Sequence, residues 1–365
     1  MIFRMPVSPR SWFTGVLVFL GSVATAQTLS PTPSPKPPPP LRLPFTALVP
    51  EAAIPIAGAS DFSATDDAVW IVSRAAGEVT RIDAKTNAAA PKLPVGKDLC
   101  AGAAADFGGL FLPRCEASAI ARIDTKTNAP GESIPAPVHK DSRSVATGVG
   151  SLWVIADSRG TIARIDPIAN AVVAEIHTDA GASDLAFGES ALWVANPEKG
   201  TVTRINPHNN LIVKSIPVAG GPVELAVGEG VLWTWNRTDG SLSRINAVEN
   251  EVEATIKPGL GSGDARIAIG DGSIWISRAG ATLSRVDLRT NHVAQIFTGA
   301  ASGAIAVAHG SLWLAVSPKT VWRLDPRRIE ATRVAIPARP KAPPSPSASP
   351  TPSPTSAPNG PDPGS

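Results

Sequence analysis

Across 365 residues, 33 Lys and Arg are nearly matched by 31 Asp and Glu, a net charge of +2 that excludes the basic footprint of a nucleic-acid binder. Hydrophobic residues make up 43% and charged ones 18%, enough apolar surface for a large core, which excludes a wholly disordered chain. Nine Trp and nine Phe accompany no Tyr, so tryptophan is placed by a rule rather than by general aromatic demand.

The N-terminus carries Arg4 and Arg10, an apolar run from Trp12 to Val23, and the small-residue triplet Ala24-Thr25-Ala26. A basic start, a short apolar stretch and an A-x-A site predict a secretory signal peptide over residues 1–26. The run is shorter than the roughly 20 residues that span a bilayer. The expected mature chain has no membrane span and is periplasmic or extracellular. Residues 27–47, including SPTPSPKPPPPLRLP from Ser30 to Pro44, read as a proline-rich disordered linker. Residues 338–365 read as a disordered tail rich in Pro, Ser and Ala.

Between them, residues 48–337 are built on a repeat. An aromatic in an apolar run recurs at Trp70, Phe111, Trp153, Trp193, Trp233, Trp275 and Trp313, in steps of 38 to 42 residues. Ten or eleven positions after each stands an arginine: Arg81, Arg122, Arg164, Arg204, Arg244, Arg285 and Arg323. The unit at 183–220 holds four short runs, Asp184–Phe187, Ala191–Asn196, Thr201–Asn206 and Ile212–Val218. A dipeptide such as Glu229-Gly230 or Asp271-Gly272 before the marker is the signal of a tight hairpin. Glycine (Gly160, Gly200, Gly240) marks the second connection, and asparagine (Asn170, Asn210, Asn250) marks the third, where a left-handed residue suits the turn.

Each unit is thus a four-stranded antiparallel meander. Such a sheet cannot cover both its faces alone, and radial repetition covers them. The expected fold is all-β, a seven-bladed β-propeller, with the marker aromatics buried between blades and the arginines stacking on them. Two segments compete for the outermost strand of the last blade, Ala52–Gly58 and Ile329–Pro337. The N-terminal one is favoured as the closure of the ring, with the other as an added edge strand.

Relative to the hairpin turn Phe107-Gly108, Cys100 and Cys115 stand directly across from each other, each seven residues from the nearer turn residue. Opposed strand residues bring Cα atoms to about 4.5–5.5 Å, within disulfide range. In an exported chain the pair predicts a structural disulfide in blade two.

The phrases TRIDAKTN (80–87), ARIDTKTN (121–128) and SRVDLRTN (284–291) resemble the YVTN-type propeller repeat. GSLWVI (150–155), SALWVAN (190–196) and GSIWIS (272–277) are similar to the same family and to the related virginiamycin B lyase-like propellers. The second resemblance implies a Mg²⁺-assisted elimination using histidines and a glutamate at the propeller's centre. Glu224 in GPVELAVG is the residue available to match the glutamate, but no histidine matches the base. His208, His292 and His309 fall on the opposite turns, His177 ends an outer strand, and His139 alone lies near the mouth.

The meander also places candidate residues. Inter-blade connections and the turns between second and third strands emerge on one face, where the inner strands begin. Nine positions before each marker, that mouth is ringed by Asp61, Gly102, Ser144, Asp184, Glu224, Arg266 and Ala304. Three positions after each marker lie Ser73, Arg114, Ala156, Asn196, Asn236, Arg278 and Val316. Asp184, Asn196, Glu224 and Asn236 offer oxygens suited to Ca²⁺ or Mg²⁺. Asp184, Glu224, Arg266 and Arg278, with the out-of-register Trp235 as a stacking platform, form the expected ligand site. The leading expectation is a monomeric binding module that takes a protein, peptide or saccharide at this face. The second is a metal-dependent lyase or lactone hydrolase.

Overall fold

The computed structural model describes residues 38–140, 145–278, 282–299 and 303–331; the expected signal peptide and C-terminal tail lie outside the described residues. Blade four shows how the repeat becomes structure. Its strands run Asp184–Gly188, Ala191–Asn196, Thr201–Asn206 and Leu211–Pro217, within one residue of the expected runs. Glu189 and Ser190 take positive φ of 50° and 58°, the left-handed turn whose twist suits a two-residue hairpin. The second strand is buried along its whole length because both its faces are covered by neighbouring blades. The outer strand is mostly exposed.

Seven such antiparallel sheets follow one another in the chain, forming a seven-bladed β-propeller. Inner strands of successive blades lie side by side, and that of blade seven lies against that of blade one. Each junction encloses one apolar cluster. Trp193 of blade four packs with Leu232 and Ile245 of blade five, and Trp313 of blade seven packs with Val69, Ile71 and Ile82 of blade one. All six marker tryptophans and Phe111 are fully buried. Close approach between blades also dictates glycine at position 148. A Cβ there would strike the ring of Phe187, which stacks on Trp153 with centroids 5.4 Å apart.

Marker and arginine are direct cross-strand partners, as in Trp193↔Arg204. The guanidinium lies 5.5 Å from the indole centroid there, and five further blades repeat the contact at 5.4–6.0 Å. The same arginines reach forward. Arg164, Arg204 and Arg244 donate from Nη1 to Oδ1 of Asn210, Asn250 and Asn291 in the next blade, at 2.9, 2.9 and 3.1 Å. The turn asparagine therefore has two duties, a left-handed backbone and an acceptor for the preceding blade's guanidinium. Blade two lacks this clasp on both sides. Arg81 turns to Asp67 at 2.6 Å, Arg122 donates to the Pro167 carbonyl at 3.3 Å, and Asn128 and Asn170 keep buried Oδ1 atoms without a hydrogen bond.

The N-terminal strand Ala52–Ile54 pairs antiparallel with Thr320–Leu324, completing blade seven as expected. The competing segment behaves differently. Pro326–Ala331 is a short helix, not the start of a strand, and residues beyond 331 lie outside the described residues. Asp325 Oδ1 accepts from the Arg327 N–H at 2.8 Å and Pro326 occupies the first turn, the capping residue and proline placement that start helices.

Residues 41–47, expected at the end of a disordered linker, are structured as well. Leu41–Pro44 adds a parallel fifth strand to the outer edge of blade six, paired with Gln295–Thr298. Phe45 then turns inward and stacks on Trp322 at 5.4 Å, joining the cluster between blades six and seven. Apolar Leu41, Leu43 and Phe45 interrupt the proline run and supply the surface that docks it.

Cys100 and Cys115 form a disulfide with Cα atoms 5.9 Å apart. The pairing is not the directly opposed one. Ala104↔Phe111 is the register next to the turn, whereas Leu99↔Arg114 is the register beyond Gly102. This two-residue shift makes the cysteines diagonal neighbours.

Candidate functional site

The inner strands bring the mouth residues together as their register requires. A cavity of about 240 Å³ opens on the inter-blade face and is lined by Asp61, Gly102, Asp184, Glu224, Arg266 and Ala304, six of the seven expected positions. The seventh, Ser144, lies outside the described residues. Apolar walls come from the neighbouring inner-strand residues Phe62, Val145, Leu185, Leu225 and Ile305.

Arg266 organises the charges. From blade six its Nη1 straddles both carboxylate oxygens of Glu224 in blade five at 3.1 Å each. Its Nη2 donates to Asp61 Oδ1 in blade one at 2.7 Å. The reach past blade seven is possible because Ala304 fills that ring position with a methyl group. The Glu224 carboxylate, with help from Asp61 and Asp184, holds the guanidinium more firmly protonated than usual against the opposing effect of burial.

The carboxylates also sew neighbouring blades together. Asp61 Oδ1 accepts the Gly102 N–H at 3.2 Å, and Asp184 Oδ2 accepts the Leu225 N–H at 2.7 Å. Each is an inner-strand residue accepting from the backbone of the next blade. Arg74, which sequence reasoning missed, brings Nε to 3.6 Å from Asp61 Oδ2. Its signal was its place directly after Ser73 on the same rim.

Other expected site residues lie elsewhere. Trp235 is fully buried in the cluster between blades five and six, with its indole N–H donating to the Gly263 carbonyl at 2.8 Å. It is core and offers no face to a ligand, because the side chain points between blades rather than into the mouth. Asn196 and Asn236 are fully buried and do not line the cavity. Asn196 Nδ2 donates to the Asp179 carbonyl at 2.8 Å, and Asn236 Nδ2 donates to Ser241 and Ser243 at 2.9 and 2.8 Å. Arg278 donates to the carbonyls of Leu260 and Ser262, bracing the loop between blades five and six. Of the four oxygen donors expected to share a metal, only Asp184 and Glu224 face one cavity, and Arg266 already fills the carboxylate of Glu224. Among the described residues, no cluster of three His, Cys, Asp or Glu has metal-binding geometry.

Fold and mouth together define a seven-bladed β-propeller with a charged funnel on its inter-blade face. Solved structures of the same shape include virginiamycin B lyase from Staphylococcus aureus, 17% identical with a TM-score of 0.63, covering 75% of this chain and 98% of the lyase. BamB from Moraxella catarrhalis is 14% identical with a TM-score of 0.53, covering 73% and 83%. Hydrazine synthase from Kuenenia stuttgartiensis is 14% identical with a TM-score of 0.61, covering 75% and 97%. At these identities the likeness is one of fold. No protein-family profile and no curated protein matches the chain, so the narrower YVTN-type assignment has no match in support. The disulfide is the mark of an oxidising compartment, and no described helix is long and apolar enough to cross a membrane.

Proposed function

We propose that this chain is an exported binding module that holds a polypeptide partner on its inter-blade face, without chemical turnover. One observation carries the reading: the cavity on that face is lined by carboxylates committed to Arg266 and to backbone N–H groups. A divalent cation would have to displace a guanidinium from Glu224 and then sit beside its positive charge. A general base needs hydrogen-bond reach of the proton it removes. The described lining contains no histidine, and its three carboxylates accept from Arg266 or from backbone N–H groups. The metal-dependent lyase reading is therefore the second one, and fold likeness favours neither.

Charge reversal tests the proposal. Lys199→Glu with Arg237→Glu alters turns on the inter-blade face, and Lys126→Glu with Arg289→Glu alters turns on the opposite face. Capture of partners from envelope extracts should fall with the first pair and survive the second. The reverse result, or Mg²⁺ uptake by calorimetry that Asp184→Ala abolishes, overturns it.

A further inference from the structure

The outermost strand of each blade is a sheet edge, and most of these edges are blunted against pairing with another chain. Prolines stand in the short outer strands of blades one and two, Leu93–Pro94, Ala129–Pro130 and Ile134–Pro135. Blade five carries Glu251 and Glu253, and the edge of blade six is covered by Leu41–Pro44. Blade seven ends in the three-residue strand Ala52–Ile54. Blade four differs. Its outer strand Leu211–Pro217 runs for seven residues and opens on Leu211, Ile212 and Val213, which are 63%, 46% and 49% exposed. Among the described residues, no other outer strand shows three consecutive exposed large apolar side chains.

The neighbouring blades extend this surface. Two residues past the Asp or Asn that opens each turn between third and outer strands, blades one, two and six carry Lys85, Lys126 and Arg289. Blades three, four and five carry Ile168, His208 and Val248 there. Ile168 and Val248 are 91% and 79% exposed, and Val173 on the outer strand of blade three is 54% exposed. Turns and strands therefore place an apolar sector on the rim of three successive blades, toward the face opposite the mouth. Its charge is negative. Glu175 lies two residues past Val173, Glu249 follows Val248, and Glu251 opens the next strand, all three exposed. Lys214 is the one lysine or arginine on these three outer strands. Such a rim repels an anionic lipid surface.

Blade six shows what an edge of this propeller accepts. Leu41 and Leu43 are half-buried and Arg42 is exposed on a strand paired along Gln295–Thr298. Strand addition of this kind draws affinity from main-chain hydrogen bonds and specificity from alternate side chains. We infer that the edge of blade four takes an extended segment of a second protein, in which apolar residues alternate with lysine or arginine. The apolar residues pack on Leu211, Ile212 and Val213, and the cations answer the surrounding glutamates. This surface is separate from the mouth, and the inference does not depend on what the mouth binds.

Fluorescence anisotropy on the full chain would use a labelled peptide in which leucine alternates with arginine. One control replaces arginine by glutamate, and a second is N-methylated throughout and so has no backbone donors. The first peptide should bind, and both controls should bind about tenfold more weakly or worse. Leu211→Lys with Val213→Lys blunts the edge at exposed positions, so it should abolish binding and leave the circular dichroism spectrum and thermal midpoint unchanged. Glu249→Lys with Glu251→Lys should weaken the arginine peptide and strengthen the glutamate one. Equal binding of the N-methylated peptide, no binding of the arginine peptide, or undiminished binding by either folded variant would each overturn the inference. Sedimentation of the chain alone should show a monomer. A dimer, or flotation with phosphatidylcholine vesicles, that the edge variant abolishes would assign the surface to a second copy or to lipid and overturn it too.

Discussion

Arg323 on the third strand of blade seven donates from Nη1 to Asn87 Oδ1 in a turn of blade one, 2.9 Å away and 236 residues earlier in the chain. The same atom also reaches the Ala84 carbonyl. This is the inter-blade clasp seen at Arg164, Arg204 and Arg244, here joining the two ends of the ring. Beside it, the Ala52–Ile54 strand completes blade seven.

Asn87 has φ of +61°, so its replacement must not confuse loss of the acceptor with backbone strain. Asn87→Gly keeps the left-handed conformation and removes only the acceptor. It should destabilise the ring by about 1–2 kcal/mol, the range for a hydrogen bond to a charged donor. Denaturant midpoints of Asn87→Gly against Asn128→Gly provide the check, since Asn128 receives no arginine and its replacement should be close to neutral.

Blade two depends on its disulfide more than its neighbours would. It lacks the clasp on both sides, its marker is Phe111, and its inner strand is only Ala104–Asp106. Closing a loop with a sequence separation of 15 stabilises by about 3 kcal/mol in the chain-entropy account. Cys100→Ala with Cys115→Ala should lower stability by about that amount, and hydrogen exchange should quicken first at residues 104–124. Thiol titration of unreduced, denatured wild type should find no free cysteine.

Arg266 neutralises two buried carboxylates that belong to different blades. Arg266→Leu leaves Glu224 and Asp61 without it and should cost about 3–5 kcal/mol. Adding Glu224→Leu should recover part of the loss, because the second charge is removed too. Additive losses in a double-mutant cycle would show that the pair contributes no coupling.

Acid should weaken the turns between third and outer strands. The backbone N–H and then the hydroxyl of Thr86 hold Asp83 below the usual carboxylate range. Thr127 does the same for Asp124, and the N–H groups of Ala169 and Ile168 do so for Asp166. A carboxyl with a depressed folded pKa stabilises the fold above its unfolded pKa, about 4, and that stability is lost as pH falls through the folded value. In blades four and five a neutral amide has this job, with Asn206 Oδ1 accepting from His208 N–H at 2.9 Å and Asn246 Oδ1 from Val248 N–H at 2.8 Å. The triple variant Asp83→Asn, Asp124→Asn and Asp166→Asn should therefore keep its turns and lose less thermal stability than wild type below pH ~4. Thermal midpoints measured from neutral pH down to about 2 would show the difference.

Much of the fold was legible in the chain because the signals are local. Period-2 runs, dipeptide hairpins and turn asparagines placed the strands of blade four within one residue. The helix at Pro326–Ala331 was legible too, in the Asp325-Pro326 start that a strand reading overlooked. The strand at Leu41–Pro44 was hidden by its prolines, since its partner is 254 positions away, as Leu41↔Gln295 shows. The candidate site divides the same way. Register alone put Asp61, Asp184, Glu224 and Arg266 on one rim. But Trp235, two positions after the marker Trp233 and so on the same strand face, packs with it between blades, and Asn236 is buried at the strand end.

What the sequence determined by itself is the blade: four strands, a buried aromatic facing an arginine, and turns whose backbone needs glycine or asparagine. Its sevenfold recurrence then determined the propeller, since each sheet must bury both faces against its like. Only the closed ring decided which side chains meet across it. Arg266 and Asp61 are 205 residues apart, and Arg323 and Asn87 are 236 apart. No local preference encodes such pairs. They exist because seven stacked blades return the chain to its beginning, where burial compels each charge to find a partner.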